Sequence, residues 1–262
     1  MSFQNDFLLE RLVHHVTATH FHAQATGPLI ADALAAGADP EWLLAEVLLP
    51  AAECMQQLRH DGLLSPHAFS NASRTLQIMG SAVASHMSAA RTLQCGMPGI
   101  ATRRLMIMSA PGEPSDTGAF LLTLLAEAHG FQVLFAGGDL TGEDLLFALE
   151  RLAPAALVLH GSIATLEPET GRLFRQIKRA GFWPGMQLAL AGAMIAGKCA
   201  DLEADLNAAH PVEILELLAL CPEFRATTSG AGTLRLAYAT HAPSKIPQSL
   251  LMRLFPARAH LN

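Results

Sequence analysis

Histidine is the side chain whose number in this sequence first suggests chemistry, because imidazole can ligate a metal or move a proton. The chain of 262 residues contains twelve histidines. Four of them, His14, His15, His20 and His22, cluster near the N-terminus. Metal ligands on one helix face are three or four residues apart, and no pair within this cluster has that spacing. We therefore expect no metal site there, and expect a solvated or partner-facing helix instead.

Three later segments combine small, acidic and hydroxyl-bearing residues, which is typical of loops that bind ligands. The first segment runs over 111–118, the second begins at His160 and the third covers 191–194. Neither of the glycine-rich patterns that bind dinucleotides or nucleoside triphosphates is present. These segments therefore predict a binding site of another kind, whose position depends on the elements around it.

Helices alone are predicted for the first 95 residues, where apolar side chains recur at helical spacing. Gly37 is a typical helix terminator, and the pairs Asp39-Pro40 and Ser65-Pro66 are typical of helix starts. A bend is expected at Pro50. Four helices with short connections predict a small bundle over residues 1–97.

Strands and helices alternate after residue 100. The predicted strands cover 105–108, 131–135, 156–160, 187–191 and 204–206, and the predicted helices cover 117–129, 141–152, 168–180 and 212–220. This alternation predicts an α/β domain over 102–220 with a doubly wound parallel sheet. Residues 221–262, with a further possible strand at 233–239, are read as a C-terminal appendage.

Ligands of doubly wound sheets bind beyond the carboxyl ends of the strands, which is where the three segments fall. The helix that begins near Thr117 aims its N-terminus at this edge and suits a phosphate. The small residues around Gly192 would let a flat ligand or a nucleotide tail approach the backbone.

Composition limits the functional classes. The formal net charge is −6, 51% of the residues are hydrophobic and 15% are charged. Global disorder and a broad nucleic-acid-binding surface are therefore not expected. No apolar run is long enough for a transmembrane helix, and the N-terminal residues do not have the pattern of a secretion signal. The cysteines at 54, 95, 199 and 221 form no CxxC pair, so we expect a cytoplasmic protein with reduced thiols.

Several short segments, in their order and spacing, resemble a known family. They are Gly37–Pro40, Glu46–Ala51, Asp61–Ser65, Ala110–Glu113 and His129–Val133. Over residues 5–220 the chain resembles the cobalamin-binding modules of corrinoid methyltransferases, light-dependent carotenoid-gene repressors and photosynthesis antirepressors. The resemblance implies a helical bundle that caps a Rossmann-like domain, with a tetrapyrrole between them.

The first motif of that family departs from the pattern in this sequence. In the family it is an acid, any residue, a histidine, two residues and a glycine, and the histidine coordinates cobalt from below. Here it covers Glu113–Gly118, and Ser115 stands at the position of the histidine. A neutral hydroxyl is a poor cobalt ligand compared with imidazole.

The other positions implied by the resemblance are also altered. The second motif covers 162–164 and the third is Gly192-Ala193, while Arg59, Phe69 and Ser70 stand where the repressors carry a tryptophan and a Glu-His pair. The candidate cofactor-binding residues are Phe69, Ser70, His86, Glu113, Ser115, Asp116, Thr117, Gly118, His160, Ser162 and Gly192.

Two histidines are candidates for a replacement ligand. His160 ends a predicted strand and is expected to face the crevice, either as a new axial metal ligand, as a donor to a propionate or amide, or as a histidine bonded to the backbone. His86 lies on the last bundle helix, which in the family lines the roof over the ligand, and is otherwise a boundary residue. His67 is expected at the surface.

The function predicted from these observations is that of a sensor or regulatory protein that binds cobalamin, haem or an open-chain bilin. Its partner would be a protein such as a transcription regulator, with no direct contact to nucleic acid or membrane, and a homo-oligomer is possible. Catalysis by Glu113 and Asp116 is not expected, because in the resembled family these positions organise the ligand loop. The alternatives are a corrinoid methyl carrier of a methyltransferase system and a ligand-free interaction protein.

Overall fold

Helices precede strands in the chain. The computed structural model describes residues 26–92, 104–138, 140, 142–182, 185–194 and 204–221. The first predicted helix, the predicted helix break at 96–99 and nearly all of the C-terminal appendage lie outside these residues. The boundaries predicted between domains at 97–102 lie outside them as well.

The helical unit is built from four α-helices and one π-helical segment within the described residues. They are α1 (Thr26–Ala35), α2 (Pro40–Trp42), the π-helix (Leu43–Leu48), α3 (Leu49–His60) and α4 (Pro66–Thr92).

The predicted start and stop signals of these helices are present in the structure. Gly37 follows α1 with φ at +86°, a conformation that favours glycine. Asp39 caps α2 by accepting a hydrogen bond from the Glu41 amide, and the Ser65 hydroxyl accepts one from the Ala68 amide at the start of α4. Local sequence therefore sets where these helices begin.

The helix changes type just before Pro50, where a bend is predicted. The chain is π-helical over Leu43–Leu48 and becomes α-helical at Leu49, where Pro50 lies in the first turn. Proline has no amide hydrogen to donate, and the first turn of an α-helix does not need one. The wider turn before Pro50 therefore accommodates the proline.

The α/β unit begins at residue 104. Its elements are β1 (Arg104–Ser109), α5 (Thr117–Ala128), β2 (Gln132–Phe135), α6 (Gly142–Leu152), β3 (Ala156–His160), a 3₁₀ turn (Ala164–Leu166), α7 (Glu167–Arg179), β4 (Gln187–Ala191), β5 (Leu206–Ala208) and α8 (Pro211–Leu220). The five strands are parallel in the order β2-β1-β3-β4-β5. This confirms the predicted α/β doubly wound sheet.

The strand predicted at 204–206 starts later, at Leu206. Asp205 occupies the edge of β4 instead, because its carboxylate accepts a hydrogen bond from the Leu188 amide at 2.8 Å and its own amide donates to the Leu188 carbonyl. The Asp205 carboxylate thus accepts the hydrogen bond that the backbone of a neighbouring strand would otherwise accept.

The sheet separates two cores because side chains alternate along each strand. Leu105, Ile107 and Val158 lie on the face that α5 and α8 cover. Met106 and Leu157 face α6 and α7 on the other side. The helical unit packs against α5, on the side of the sheet that α5 and α8 cover.

Among the described residues, no helix has the length and apolar character needed to cross a membrane.

Candidate functional site

The loop between β1 and α5 is held by Glu113. Its carboxylate accepts hydrogen bonds from the Ser162 amide and the Ser162 hydroxyl, both at 2.6 Å, and from the Ile163 amide at 3.1 Å. Glu113 therefore joins the loop after β1 to the loop after β3. Because its oxygens are engaged in this way, the structure gives the carboxylate a positioning role at the sheet edge.

Ser115 also serves the local structure. Its hydroxyl accepts a hydrogen bond from the Thr117 amide at 3.1 Å and shares one with the Thr117 hydroxyl at 2.8 Å. The neighbouring Asp116 carboxylate accepts a hydrogen bond from the Gln77 amide group at 3.1 Å. Ser115 thus caps the start of α5, while Gln77 ties this helix start to α4.

A cavity of about 430 Å³ lies between α4 and this loop. Both units line it, and the lining residues are Phe69, Ser70, Ser73, Arg74, Gln77, Glu113, Pro114, Ser115, Asp116 and Gly138. We call this cavity the crevice. The structure therefore brings five of the predicted site residues to one place: Phe69, Ser70, Glu113, Ser115 and Asp116.

The crevice carries one unsatisfied polar group. The Ser73 hydroxyl is buried and has no hydrogen-bond partner. Buried polar groups are nearly always paired, so an unpaired one at a cavity wall is a place for a ligand group. Arg74, one residue further along α4, is exposed and adds a positive charge at the same wall.

His160 does not face the crevice, and this corrects the expectation from the sequence. It ends β3 as predicted, yet it is fully buried at 0% exposure. Its ring lies against Gly118 and Gly192: a Cβ built on Gly118 would be 2.6 Å from Nδ1, and one on Gly192 would be 3.2 Å from Nε2. In this position neither ring nitrogen is accessible to a ligand in the crevice, so the arrangement offers no axial metal ligand there.

His160 is also not bonded to the backbone, which was the other interpretation of the sequence. Its Nε2 lies 3.4 Å from the Glu53 carboxylate, and neither ring nitrogen has a partner in hydrogen-bond geometry. The Glu53 carboxylate accepts a hydrogen bond from the Ala193 amide instead. Glu53 on α3 therefore reaches from the helical unit to the loop after β4.

The remaining predicted residues lie apart from the crevice. Thr117, Gly118 and Ser162 are buried at the sheet edge behind it. His86 is exposed on α4 and is not part of the crevice wall. His67, predicted at the surface, is exposed, and its imidazole shares a hydrogen bond with Asn71.

Sequence reasoning identified Ser70 but missed the rest of the polar stripe of α4, and it missed the glutamate pairs. Ser70, Ser73, Arg74 and Gln77 recur at intervals of three and four residues, and that spacing places them on one helix face. This three- and four-residue spacing is visible in the sequence.

Three histidines of the α/β unit lie within ion-pair distance of three glutamates of the helical unit. The distances are 2.9 Å for His129–Glu41, 2.8 Å for His210–Glu46 and 3.4 Å for His160–Glu53. The hydrogen bond to Glu46 raises the pKa of His210 above its ordinary value, against the opposing effect of burial. Burial, with a smaller contribution from Glu53, raises the pKa of the neighbouring Cys54 thiol to about 11. These pairs link the two units at several points.

No group of three or more histidine, cysteine, aspartate or glutamate side chains within the described ranges could hold a metal ion.

The fold and the crevice define a class: a helical unit that caps the carboxyl edge of a doubly wound sheet. The structure of the monomethylamine corrinoid protein of Methanosarcina barkeri is similar, with a TM-score of 0.63 and 16% sequence identity over 82% of this chain and 98% of that chain. The predicted resemblance to the cobalamin-binding modules is thereby confirmed at the level of the fold.

Two further structures match over most of the chain. One is a cobalamin-binding protein from Desulfitobacterium hafniense DCB-2, with a TM-score of 0.42 and 15% identity over 80% of this chain and 96% of that chain. The other is the methanol:cobalamin methyltransferase complex of Methanosarcina barkeri, with a TM-score of 0.37 and 15% identity over 82% of this chain and 78% of that chain. No family model and no curated protein matches the sequence.

Proposed function

We propose that this protein binds a corrinoid in the crevice between α4 and the loop after β1. The observation that carries the proposal is the joint lining of the crevice by the helical unit and the sheet edge. A ligand held there contacts both units at once, so that its binding energy depends on how the two units are arranged.

The residues of the crevice fit the rim of a corrin ring. Ser70, Ser73 and Arg74 are hydrogen-bond donors, and a corrinoid carries amide side chains whose oxygens accept such bonds. Phe69 supplies an apolar surface at 7% exposure. The unpaired Ser73 hydroxyl gains a partner when an amide oxygen approaches it.

The residues do not fit a corrinoid whose cobalt takes a histidine from this loop. Ser115 stands at that position and its hydroxyl is engaged with Thr117. A corrinoid held here would have to bind without a cobalt ligand from this loop. The chain's contribution is to bind and orient the ring from its rim.

The first candidate role is that of a methyl carrier for a partner methyltransferase, since a bound corrinoid supplies a cobalt that can carry a methyl group. The fold shared with the monomethylamine corrinoid protein supports this role. We propose that the chain itself is not an enzyme, and the engagement of Glu113 by three donors supports that proposal.

The second candidate role is that of a sensor whose ligand state is read by a protein partner such as a transcription regulator. The observation that favours it is again the joint lining of the crevice. A ligand that binds better to one arrangement of the units shifts the population toward it.

The test of binding is a titration of the purified protein with hydroxocobalamin, followed by absorption spectroscopy and equilibrium dialysis, with haem and biliverdin as comparators. We expect cobalamin to bind and the Arg74→Ala variant to bind it more weakly. Arg175→Ala is the matched control, because Arg175 is exposed on α7, away from the crevice. Retention of no tetrapyrrole would refute the proposal and favour the ligand-free interaction protein.

The test between the two roles uses protein loaded with methylcobalamin. Loss of the methyl group to an acceptor in the presence of a cobalamin-dependent methyltransferase supports the carrier. Slower hydrogen exchange where α4 meets α5, without methyl transfer, supports the sensor.

A further inference from the structure

The carboxyl end of β3 contains a closed slot that the chain fills with its own imidazole. His160 pairs in register with Ser109 of β1 and Ala191 of β4, so the slot lies at the centre of the sheet edge. Gly118, in the first turn of α5, forms one wall. Gly192, at φ +105°, forms the other. We call this space the His160 slot.

The two glycines are matched to a flat ring. A Cβ at Gly118 would overlap Cε1 and Nδ1 of the imidazole, and a Cβ at Gly192 would lie 2.5 Å from the Gly161 carbonyl oxygen and 3.1 Å from the Glu53 carboxylate. Any larger residue at either wall would therefore push the ring or the backbone out of place. The walls admit a planar group and little else.

The ring in the slot is chemically ill matched to its surroundings. Both nitrogens are buried without hydrogen-bond partners, and Glu53 lies 3.4 Å from Nε2. A slot evolved only for packing is better filled by an apolar side chain, because a buried unpaired polar atom costs free energy. The slot thus holds a flat nitrogen-containing ring between two glycines and beside the Glu53 carboxylate.

We propose that His160 is a specificity-determining residue: its imidazole occupies the His160 slot and keeps the base-bearing tail of a corrinoid out of the sheet. This inference rests on the proposed function and deepens it. The protein then selects corrinoids whose base stays on cobalt, or corrinoids that lack the base.

The first experiment tests the slot without any corrinoid. His160→Gly removes the ring, and imidazole is added while the melting temperature is measured. We expect the variant to melt lower than the wild type and to recover several degrees with imidazole, because a ligand that binds only the folded state stabilises it. His210→Gly is the matched control: it also loses an imidazole paired with a glutamate, but from a partly exposed helix cap. A folded His160→Gly variant that does not respond to imidazole would overturn the proposal.

A second pair of variants decides the question if His160→Gly does not fold. Gly118→Ala alone places a methyl group into the imidazole, whereas in a His160→Ala background the three nearest atoms, all of the imidazole, are gone. We expect the alanine at 118 to be clearly destabilising in the first case and nearly neutral in the second. An equal cost in both backgrounds would show that the ring does not fill the slot.

The third experiment concerns the ligand. Cobalamin bound to the wild type is expected to keep the absorption spectrum of the base-on form, and cobinamide, which lacks the base, is expected to bind with similar affinity. In His160→Gly the cobalamin spectrum should shift toward the base-off form. A base-off spectrum in the wild type would contradict the inference while leaving the proposed function intact. Failure of both corrinoids to bind would refute the proposed function, while the imidazole experiment still decides the slot.

Discussion

The crevice and the His160 slot lie side by side at the carboxyl edge of the sheet, yet they are built in opposite ways. The crevice is a cavity of about 430 Å³ whose loop groups are engaged with one another. The slot is closed and filled by one imidazole whose nitrogens are unpaired. Glu113 and Ser115 were predicted to contact a ligand. In the structure both make hydrogen bonds within the protein instead.

The type of a side chain and its position at the sheet edge therefore do not determine whether it binds a ligand or supports the fold. The Glu113 carboxylate accepts from three internal donors and holds two loops together, whereas the His160 imidazole lies 3.4 Å from Glu53 with no hydrogen-bond partner on either nitrogen. The predictions below alter one of the two regions at a time, or the contacts that join the helical unit to the sheet.

The largest loss of stability is expected on substitution of Glu113. Glu113→Ala leaves the Ser162 amide, the Ser162 hydroxyl and the Ile163 amide without an acceptor. We expect the free energy of unfolding to fall by about 3 kcal/mol, measured by urea denaturation. Glu150→Ala, on the exposed face of α6, is the control and should change it by less than about 0.5 kcal/mol. Equal effects of the two variants would contradict the structural role of Glu113.

A smaller loss of stability is expected on substitution of Glu53, which borders the His160 slot. Glu53→Ala removes the acceptor of the Ala193 amide and the carboxylate next to His160. We expect a loss of about 2 kcal/mol in the free energy of unfolding, and a smaller loss for Glu53→Gln, whose amide oxygen still accepts from Ala193. If the glutamine variant is as unstable as the alanine variant, the hydrogen bond to Ala193 is not what matters.

Ser115→His tests the crevice directly. The substitution removes the cap of α5, so we expect the free energy of unfolding to fall by about 1 kcal/mol. It also introduces an imidazole where the resembled family has one. In the cobalt(II) state of bound cobalamin, electron paramagnetic resonance of protein labelled with ¹⁵N-histidine should show the label only in the variant. A ¹⁵N signal in the wild type would mean that another histidine ligates cobalt.

The smallest effect is a pH dependence at the contact between the two units. The pKa of His210 is raised above 6.5 by its hydrogen bond to Glu46, with further contributions from Glu53 and Glu213. Because the folded-state pKa is raised, the stabilisation is fully present below pH 6.5 and is lost as the pH rises through the raised pKa.

His210→Ala should therefore differ most from the wild type in slightly acidic solution, and the difference should shrink as the pH is raised. Urea denaturation over a pH series measures it. A difference between the two proteins that does not change with pH would show that this pair is not charged in the folded state.

Much of the fold could be predicted from the sequence because its signals are local. The strands at 156–160 and 187–191 are runs of apolar residues bounded by helices, and the structure has them at those positions. Asp39 and Ser65 start helices through hydrogen bonds to the next few residues, which the sequence shows directly. The π-helix before Pro50 has no such local signal.

The site could be predicted only in part. Phe69 and Ser70 were placed opposite the loop at 113–118 through the family resemblance, and the crevice brings them there. Glu53 was missed because its contact with Ala193 spans 140 residues of sequence. A contact between such distant residues depends on how the helical unit packs against the α/β unit.

The sequence by itself determined the order of helices and strands, the parallel sheet and the loops at its carboxyl edge, since these follow from periodicity and from capping residues. Only the tertiary structure decided which of those loop residues face a cavity. In the tertiary structure His160 lies in the interior, where two glycines leave room for a flat ring. The physical reason is that burial and pairing are set by side chains from separate elements, and their packing is not written in any one segment.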